Sequence, residues 1–225
     1  MKTAWEDKMF SKKWFFDLES KLREMGLDSD EQSFDEILEN LKHPKRVSPN
    51  QFAETVSYVI LASGFNQKTA KIKHRIIMDL LKNNSNKSEI LPVFKNESKI
   101  DAIITVWNNR QSLCDGFYKC QNLGEKIKYL LQISYVGETT VNHLARNLGE
   151  NLPKYDRWIK RLGVVFSGNK SLNELLDKPK LKPELKQACD AMFNHLVQET
   201  GLPIGYIDVV LFRACQNHLI DMGDK

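Results

Sequence analysis

Apolar positions along the chain recur at spacings of three and four residues, the signature of amphipathic helices. In "WFFDLESKLREMG" (14–26), Phe15, Leu18 and Leu22 share one face and Gly26 marks the end. "SFDEILENLKH" (33–43) opens on Ser33 with acids in its first turn and closes on Lys42 and His43, an order that complements the helix dipole. In "VSPNQFAETVSYVILASGF" (47–65), Ser48 can cap, Pro49 suits the first turn, and Phe52, Val56, Val59 and Ile60 form the buried stripe. Further helices are expected over 66–82, 97–110, 123–132, 139–149 and 157–165. A short helix follows in "SGNKSLNELLDKP", then two longer ones in "PELKQACDAMFNHLVQETG" and "PIGYIDVVLFRACQNHLI", parted by Gly201 and Pro203. The Asn/Ser-rich "LKNNSNKSEILPVFKNES" reads as a loop broken at Pro92. The strand-like "YIDVVLF" (206–212) runs on with helical spacing, so the expected fold class is all-α.

Length and charge narrow this picture only slightly. The 225 residues suffice for one large domain or two lobes, with 41% hydrophobic and 28% charged content. A net charge of +4 permits nucleic-acid binding without arguing for it, so local clustering has to carry that case. Cys114, Cys120, Cys189 and Cys215 form no C-x-x-C pair, which argues against a metal or iron–sulfur site and fits a reducing compartment. "MKTAWEDKMFSKKWFF" has no continuous apolar region of the kind a signal peptide needs. No apolar run approaches the roughly 18 residues of a membrane span. The expectation is a soluble, intracellular protein, cytoplasmic or nucleoid-associated, with no membrane partner.

The chemistry concentrates in "LLQISYVGETTVNHLARNLGENLPKYDRWIKRLG" (130–163). Helix 123–132, the turn "ISYVGE" (133–138) and helix 139–149 make a helix-hairpin-helix. Such a hairpin can present backbone N–H groups to a phosphate, and Arg146 and the following basic helix would extend the positive surface. One carboxylate, Asp156, then stands among Lys154, Arg157, Lys160 and Arg161. Asp156 also suits the N-cap of helix 157–165, and the four cations could be an ordinary solvated face.

These segments resemble the helix-hairpin-helix DNA glycosylase superfamily. Its hairpin, L-P-G-[IV]-G-x-K-x-A, is matched by Ile133-Ser134-Tyr135-Val136-Gly137-Glu138-Thr139-Thr140-Val141. Its second motif, [VL]-D-x-H-[VI]-x-R, is matched by Tyr155-Asp156-Arg157-Trp158-Ile159-Lys160-Arg161. "NHLARNLG" (142–149) and "DRWIKR" (156–161) are similar to segments of archaeal-type 8-oxoguanine glycosylases. "VILASGFNQKTAKI" (59–72) is similar to the helix-turn-helix that lines the superfamily's base pocket, so the resemblance spans about residues 50–215.

The resemblance implies a two-lobed helical fold whose cleft accepts duplex DNA, with lobes at about 46–122 and 123–225 and a helical cover at 1–45. It implies that Asp156 is catalytic, facing the deoxyribose as the base leaves. It implies DNA contacts at Tyr135, Gly137, Thr139, Thr140, Arg146, Lys154, Arg157, Lys160 and Arg161, and a base pocket at Ser63, Phe65, Asn66 and Trp158. Read as residues alone, Phe65 fits a core better than a stacking position, while Trp158 stays open. His74 and His143 read as structural or surface residues.

Departures from the pattern shape the function expected. The lysine of bifunctional members falls on Thr139, which has no amine, so a Schiff-base lyase step lacks its nucleophile. Tyr135 replaces the first hairpin glycine, Ser63 and Gly64 replace pocket glutamines, and Trp158 replaces a histidine. The expectation is a monomeric, cofactor-free, monofunctional N-glycosylase. Two alternatives stay open. One is a phage-type relative that attaches an amine or amino-acid co-substrate to an activated thymine in DNA, as the α-glutamyl/putrescinyl-thymine pyrophosphorylases are held to do. The other is a non-catalytic DNA-binding protein.

Overall fold

In a computed structural model of the protein, residues 9–29, 32–138, 140–178 and 180–222 are described, Gln67 and Lys68 by backbone alone. Among them the chain is helical throughout, with no strand. In order come α1 (Lys12–Glu24), α2 (Phe34–Lys42), α3 (Pro49–Ala62), α4 (Gln67–Lys82), α5 (Lys87–Ile90) and α6 (Glu97–Asn108). Then follow α7 (Arg110–Lys119), α8 (Leu123–Leu130), α9 (Val141–Asn147), α10 (Arg157–Ser167), α11 (Pro183–Thr200) and α12 (Ile204–Gln216), with a 3-10 helix at Lys170–Leu175. No described helix is long and apolar enough to cross a membrane.

Local signals account for the helix starts. Ser33 and Ser48 form capping boxes with Glu36 and Gln51, each satisfying backbone N–H groups that the first turn leaves open. Removing such a cap costs about 1 kcal/mol. Gly168 and Gly201 end α10 and α11 in the left-handed conformation that glycine adopts most easily. The run 206–212 is helical, lying wholly inside α12.

The chain divides into two compact units, Met1–Pro44 with Asn151–Lys225, and Lys45–Glu150. This division runs elsewhere than the one expected from sequence: α1 and α2 share a core with α10–α12, and α8 and α9 stay with α3–α7. The physical reason is burial. Phe15, Leu22 and Phe34 are fully enclosed with Phe193, Tyr206 and Ile207, so the N-terminal helices complete a core.

In that first unit α10 packs along α11 at very close range. A Cβ on Gly163 would fall 2.7 Å from Cys189 Sγ and 3.0 Å from the Cys189 backbone nitrogen, so only glycine fits there. This approach fixes the axis of the helix that Asp156 begins. In the second unit α3 is central and packs against α4, α6, α7 and α9. Buried Phe52 on α3 meets Phe117 on α7, ring centroids 5.8 Å apart.

Candidate functional site

Asp156 is the N-cap of α10. Its Oδ1 accepts the N–H groups of Trp158 at 2.8 Å and Ile159 at 3.1 Å. Lys154 Nζ lies 4.0 Å from the aspartate's Oδ2. The carboxylate is only 15% exposed, and the partial positive charge of the helix start favours an anion there. One oxygen is therefore spent on capping the helix, and the other lies beside Lys154. Burial pushes the nearby Cys215 thiol up to about 12, with the Asp156 charge adding to the effect, so this cysteine is a neutral wall rather than a nucleophile.

The four cations around Asp156 do not act as one patch. Lys154 sits by the carboxylate, with Nζ 5.3 Å from the Phe212 ring centroid. Arg157 and Arg161 both lie on the Trp158 indole, at 4.7 and 5.6 Å from its ring. The Lys160 charge offsets a little of the rise that burial causes in the Cys189 thiol of α11. Trp158 is half-buried against the core of its unit, so it is a platform for two guanidiniums rather than a free ring.

Tyr155, next to the cap, is tied down from α11. Its hydroxyl donates to Asp190 Oδ1 at 2.5 Å, Lys186 bonds the other Asp190 oxygen at 2.6 Å, and the Lys186 ammonium lies 5.1 Å from the Tyr155 ring. Burial, then this hydrogen bond, raises the phenol far above its ordinary 10, so it remains a donor. Sequence reasoning missed this clamp, because Asp190 is a polar position within a long helix and nothing local marks it.

The hairpin differs from expectation in one respect that bears on phosphate binding. Gly137 N–H donates to Thr140 Oγ1 at 3.0 Å, and the N–H groups of Thr140 and Val141 both donate to the Gly137 carbonyl at 2.9 Å. The turn thus consumes donors that were expected to face a phosphate. Tyr135, not Gly137, takes the left-handed conformation, with φ of 66°. It is 44% exposed. Thr139 lies outside the described residues. Arg146 is in the last turn of α9, which is shorter than the expected 139–149.

Of the expected base-pocket residues in the second unit, Ser63 and Phe65 line one pocket together with Gly64. Phe65 is 40% exposed, so the core assignment suggested by its residue type is corrected: the chain turns at Gly64 and carries the ring outward. Asn66 caps α4 through Thr69 N–H at 3.2 Å. Lys99 of α6, which sequence reasoning passed over, reaches the same pocket and donates to the Ser63 carbonyl at 2.6 Å. His74 has a structural tie, its Nε2 lying 2.9 Å from the Glu54 carbonyl.

No protein-family model matches the chain, and no curated protein sequence does. Solved structures do. The 8-oxoguanine DNA glycosylase of Methanocaldococcus jannaschii superimposes with a TM-score of 0.67 at 16% identity, covering 91% of this chain and 93% of that one. The chain has the fold of a helix-hairpin-helix DNA glycosylase. The M. jannaschii 8-oxoguanine glycosylase/lyase in complex with 15mer DNA containing 8-oxoguanine gives 0.65 at 15% identity, covering 91% of this chain and 98% of that one. Within this fold Asp156 stands as the N-cap of α10, and the turn at Gly137 is closed by its own hydrogen bonds.

Proposed function

We propose that the protein is a DNA-acting enzyme that takes a modified base out of the duplex and cleaves its N-glycosidic bond, with water as the nucleophile. The observation that carries the reading is Asp156: a part-buried carboxylate with Oδ1 fixed by two backbone N–H groups and Oδ2 left to meet a substrate. The shared glycosylase fold supports it.

In this reading positive charge builds on the deoxyribose as the C1′–N bond lengthens, and Oδ2 stabilises it or orients the attacking water. The C1′–O bond forms, the base departs with the bonding electron pair and gains a proton, and an abasic site is left. Arg157 and Arg161, pre-positioned on Trp158, bind backbone phosphates, and Lys154 and Lys160 add charge of the same sign. Tyr135, Gly137, Thr139, Thr140 and Arg146 contact the strand at the hairpin, where side chains matter more than the Gly137 N–H. Ser63, Phe65 and Asn66 are the base-contact residues, and Trp158 serves as the platform for Arg157 and Arg161. Thr139 supplies no amine, so the reading has no Schiff-base step at that position.

Mass spectrometry of duplexes carrying 8-oxoguanine, uracil, alkylated purines or 5-hydroxymethyluracil, with and without amino acids or polyamines, tests this. Loss of one base mass is expected. A mass gain that needs an amine would replace the reading with base modification, and no change would leave a DNA-binding protein.

A further inference from the structure

Residues 150–156, which lead into α10, have no regular secondary structure, so no preceding helix or strand carries Asp156 into place. Directly ahead of the cap the chain makes a three-residue turn, in which the Asp156 N–H donates to the Lys154 carbonyl at 2.8 Å. Tyr155 is the middle of that turn, and a turn closed by one hydrogen bond is weak by itself. Its anchor comes from α11. The Tyr155 hydroxyl donates to Asp190 Oδ1 at 2.5 Å, and Lys186 holds the second Asp190 oxygen at 2.6 Å. The Lys186 ammonium also lies 5.1 Å from the Tyr155 ring.

The same stretch of α11 also fixes the helix that follows. Cys189, the residue before Asp190, is what Gly163 of α10 packs against, and its Sγ donates to the Ile159 carbonyl at 3.6 Å. Cys189 thus registers the body of α10, and Asp190 registers the residue ahead of its cap. Asp156 lies between these two anchors, with Oδ1 on the Trp158 and Ile159 N–H groups. The superfamily's motif has valine or leucine at the position of Tyr155, and neither can donate a side-chain hydrogen bond. The tie to Asp190 therefore comes with the tyrosine of this chain. Burial and that hydrogen bond keep the phenol protonated, so it donates throughout the neutral range.

We propose that Tyr155 and Asp190 are positioning residues: they hold the Asp156 backbone so that the cap stays formed and Oδ2 keeps one direction. They act through Asp156 and touch no reacting atom. The proposal rests on the proposed function for what Asp156 does to a substrate, and on the geometry alone for how Asp156 is held. Displacing a reacting group by about 1 Å can cost roughly 100-fold in rate, so a carboxylate on an irregular segment needs such support.

Amide hydrogen exchange and single-turnover base release on the full chain test it. Tyr155→Phe removes only the hydroxyl, and Asp190→Ala removes its acceptor at a part-exposed helix position that suits alanine. Both are expected to speed exchange of the Trp158 and Ile159 N–H groups about 10-fold, with exchange along α11 unchanged. Both are expected to slow base release about 10-fold at unchanged duplex affinity. In the Asp156→Asn background the same substitutions are expected to slow release by less than about 2-fold. Asp190→Asn keeps an acceptor and is expected to rescue most of each loss. Exchange unmoved by both substitutions, or equal slowing in both backgrounds, overturns the proposal. Slow release in Asp156→Asn with wild-type release in Tyr155→Phe defeats this proposal alone. If no duplex loses a base to the wild-type chain, the proposed function falls, and exchange at the two N–H groups still decides the clamp.

Discussion

Asp156 and Lys99 both stand at the beginning of a helix, and their surroundings treat the two charges in opposite ways. Asp156 caps α10, accepts two backbone N–H groups and has a lysine 4.0 Å away. Lys99 lies in the first turn of α6, where the dipole disfavours a cation, and is buried against a carbonyl and an aromatic ring. The aspartate's charge serves the fold, and in the proposed function it serves chemistry too. The lysine's charge costs the fold.

The sharpest way to break this contrast is Asp156→Ala, which removes cap and carboxylate together. It should lose roughly 10²-fold or more in base release and about 1 kcal/mol of stability, read by single-turnover kinetics and denaturant melts. Next in size is the frame that aims α10. Gly163→Ala places its Cβ against the Cys189 backbone and should cost about 1–3 kcal/mol, with a matching fall in the melting temperature.

Lys99→Met sharpens the other half of the comparison. It should stabilise the free protein by about 1 kcal/mol at neutral pH, because it removes a buried cation without a carboxylate. The sign with pH follows from its lowered pKa. Folded Lys99 holds its proton less readily than unfolded Lys99, so the penalty is full below the folded pKa. It fades as pH rises towards 10.5, and the advantage of Lys99→Met should shrink over the same range. Loss of stability in Lys99→Met at pH 7 would contradict this account.

The hairpin gives the smallest effects. Gly137 has an ordinary φ and open space around its missing Cβ, so Gly137→Ala should change stability by no more than about 0.5 kcal/mol. Tyr135→Val, a β-branched residue at φ 66°, should cost about 1 kcal/mol or more, and chemical denaturation distinguishes the two.

Much of the fold could be read in the sequence because its signals are local. Ser33, Ser48 and Asp156 cap their helices as their residue types suggest, and α12 absorbs the strand-like run through its spacing. Helix α7 could not be read that way. Its Gly116 looks like a breaker, yet the missing side chain is where Tyr129 of α8 packs, with its hydroxyl 2.2 Å from an added Cβ position. The assembly of α1 and α2 with α10–α12 depends on contacts far apart in sequence, which periodicity cannot specify.

The candidate site was legible in the same uneven way. Asp156 stood out by its motif, but Asp190 and the indole platform did not. Lys99 carried a readable signal. With Ala102, Ile103 and Val106 it sits on the buried stripe of α6, a position where a lysine is out of place. At Tyr135 the backbone keeps the left-handed turn although a tyrosine has replaced the glycine, so sequence matching located the turn but not its geometry.

The most direct test of the central claim is Asp156→Asn, since asparagine caps a helix about as well as aspartate and removes only the charge. Base release in single turnover and duplex affinity would be measured on the same protein. The account predicts release slower by roughly 10²-fold or more with affinity unchanged. Release at the wild-type rate would make Asp156 a helix cap and nothing further.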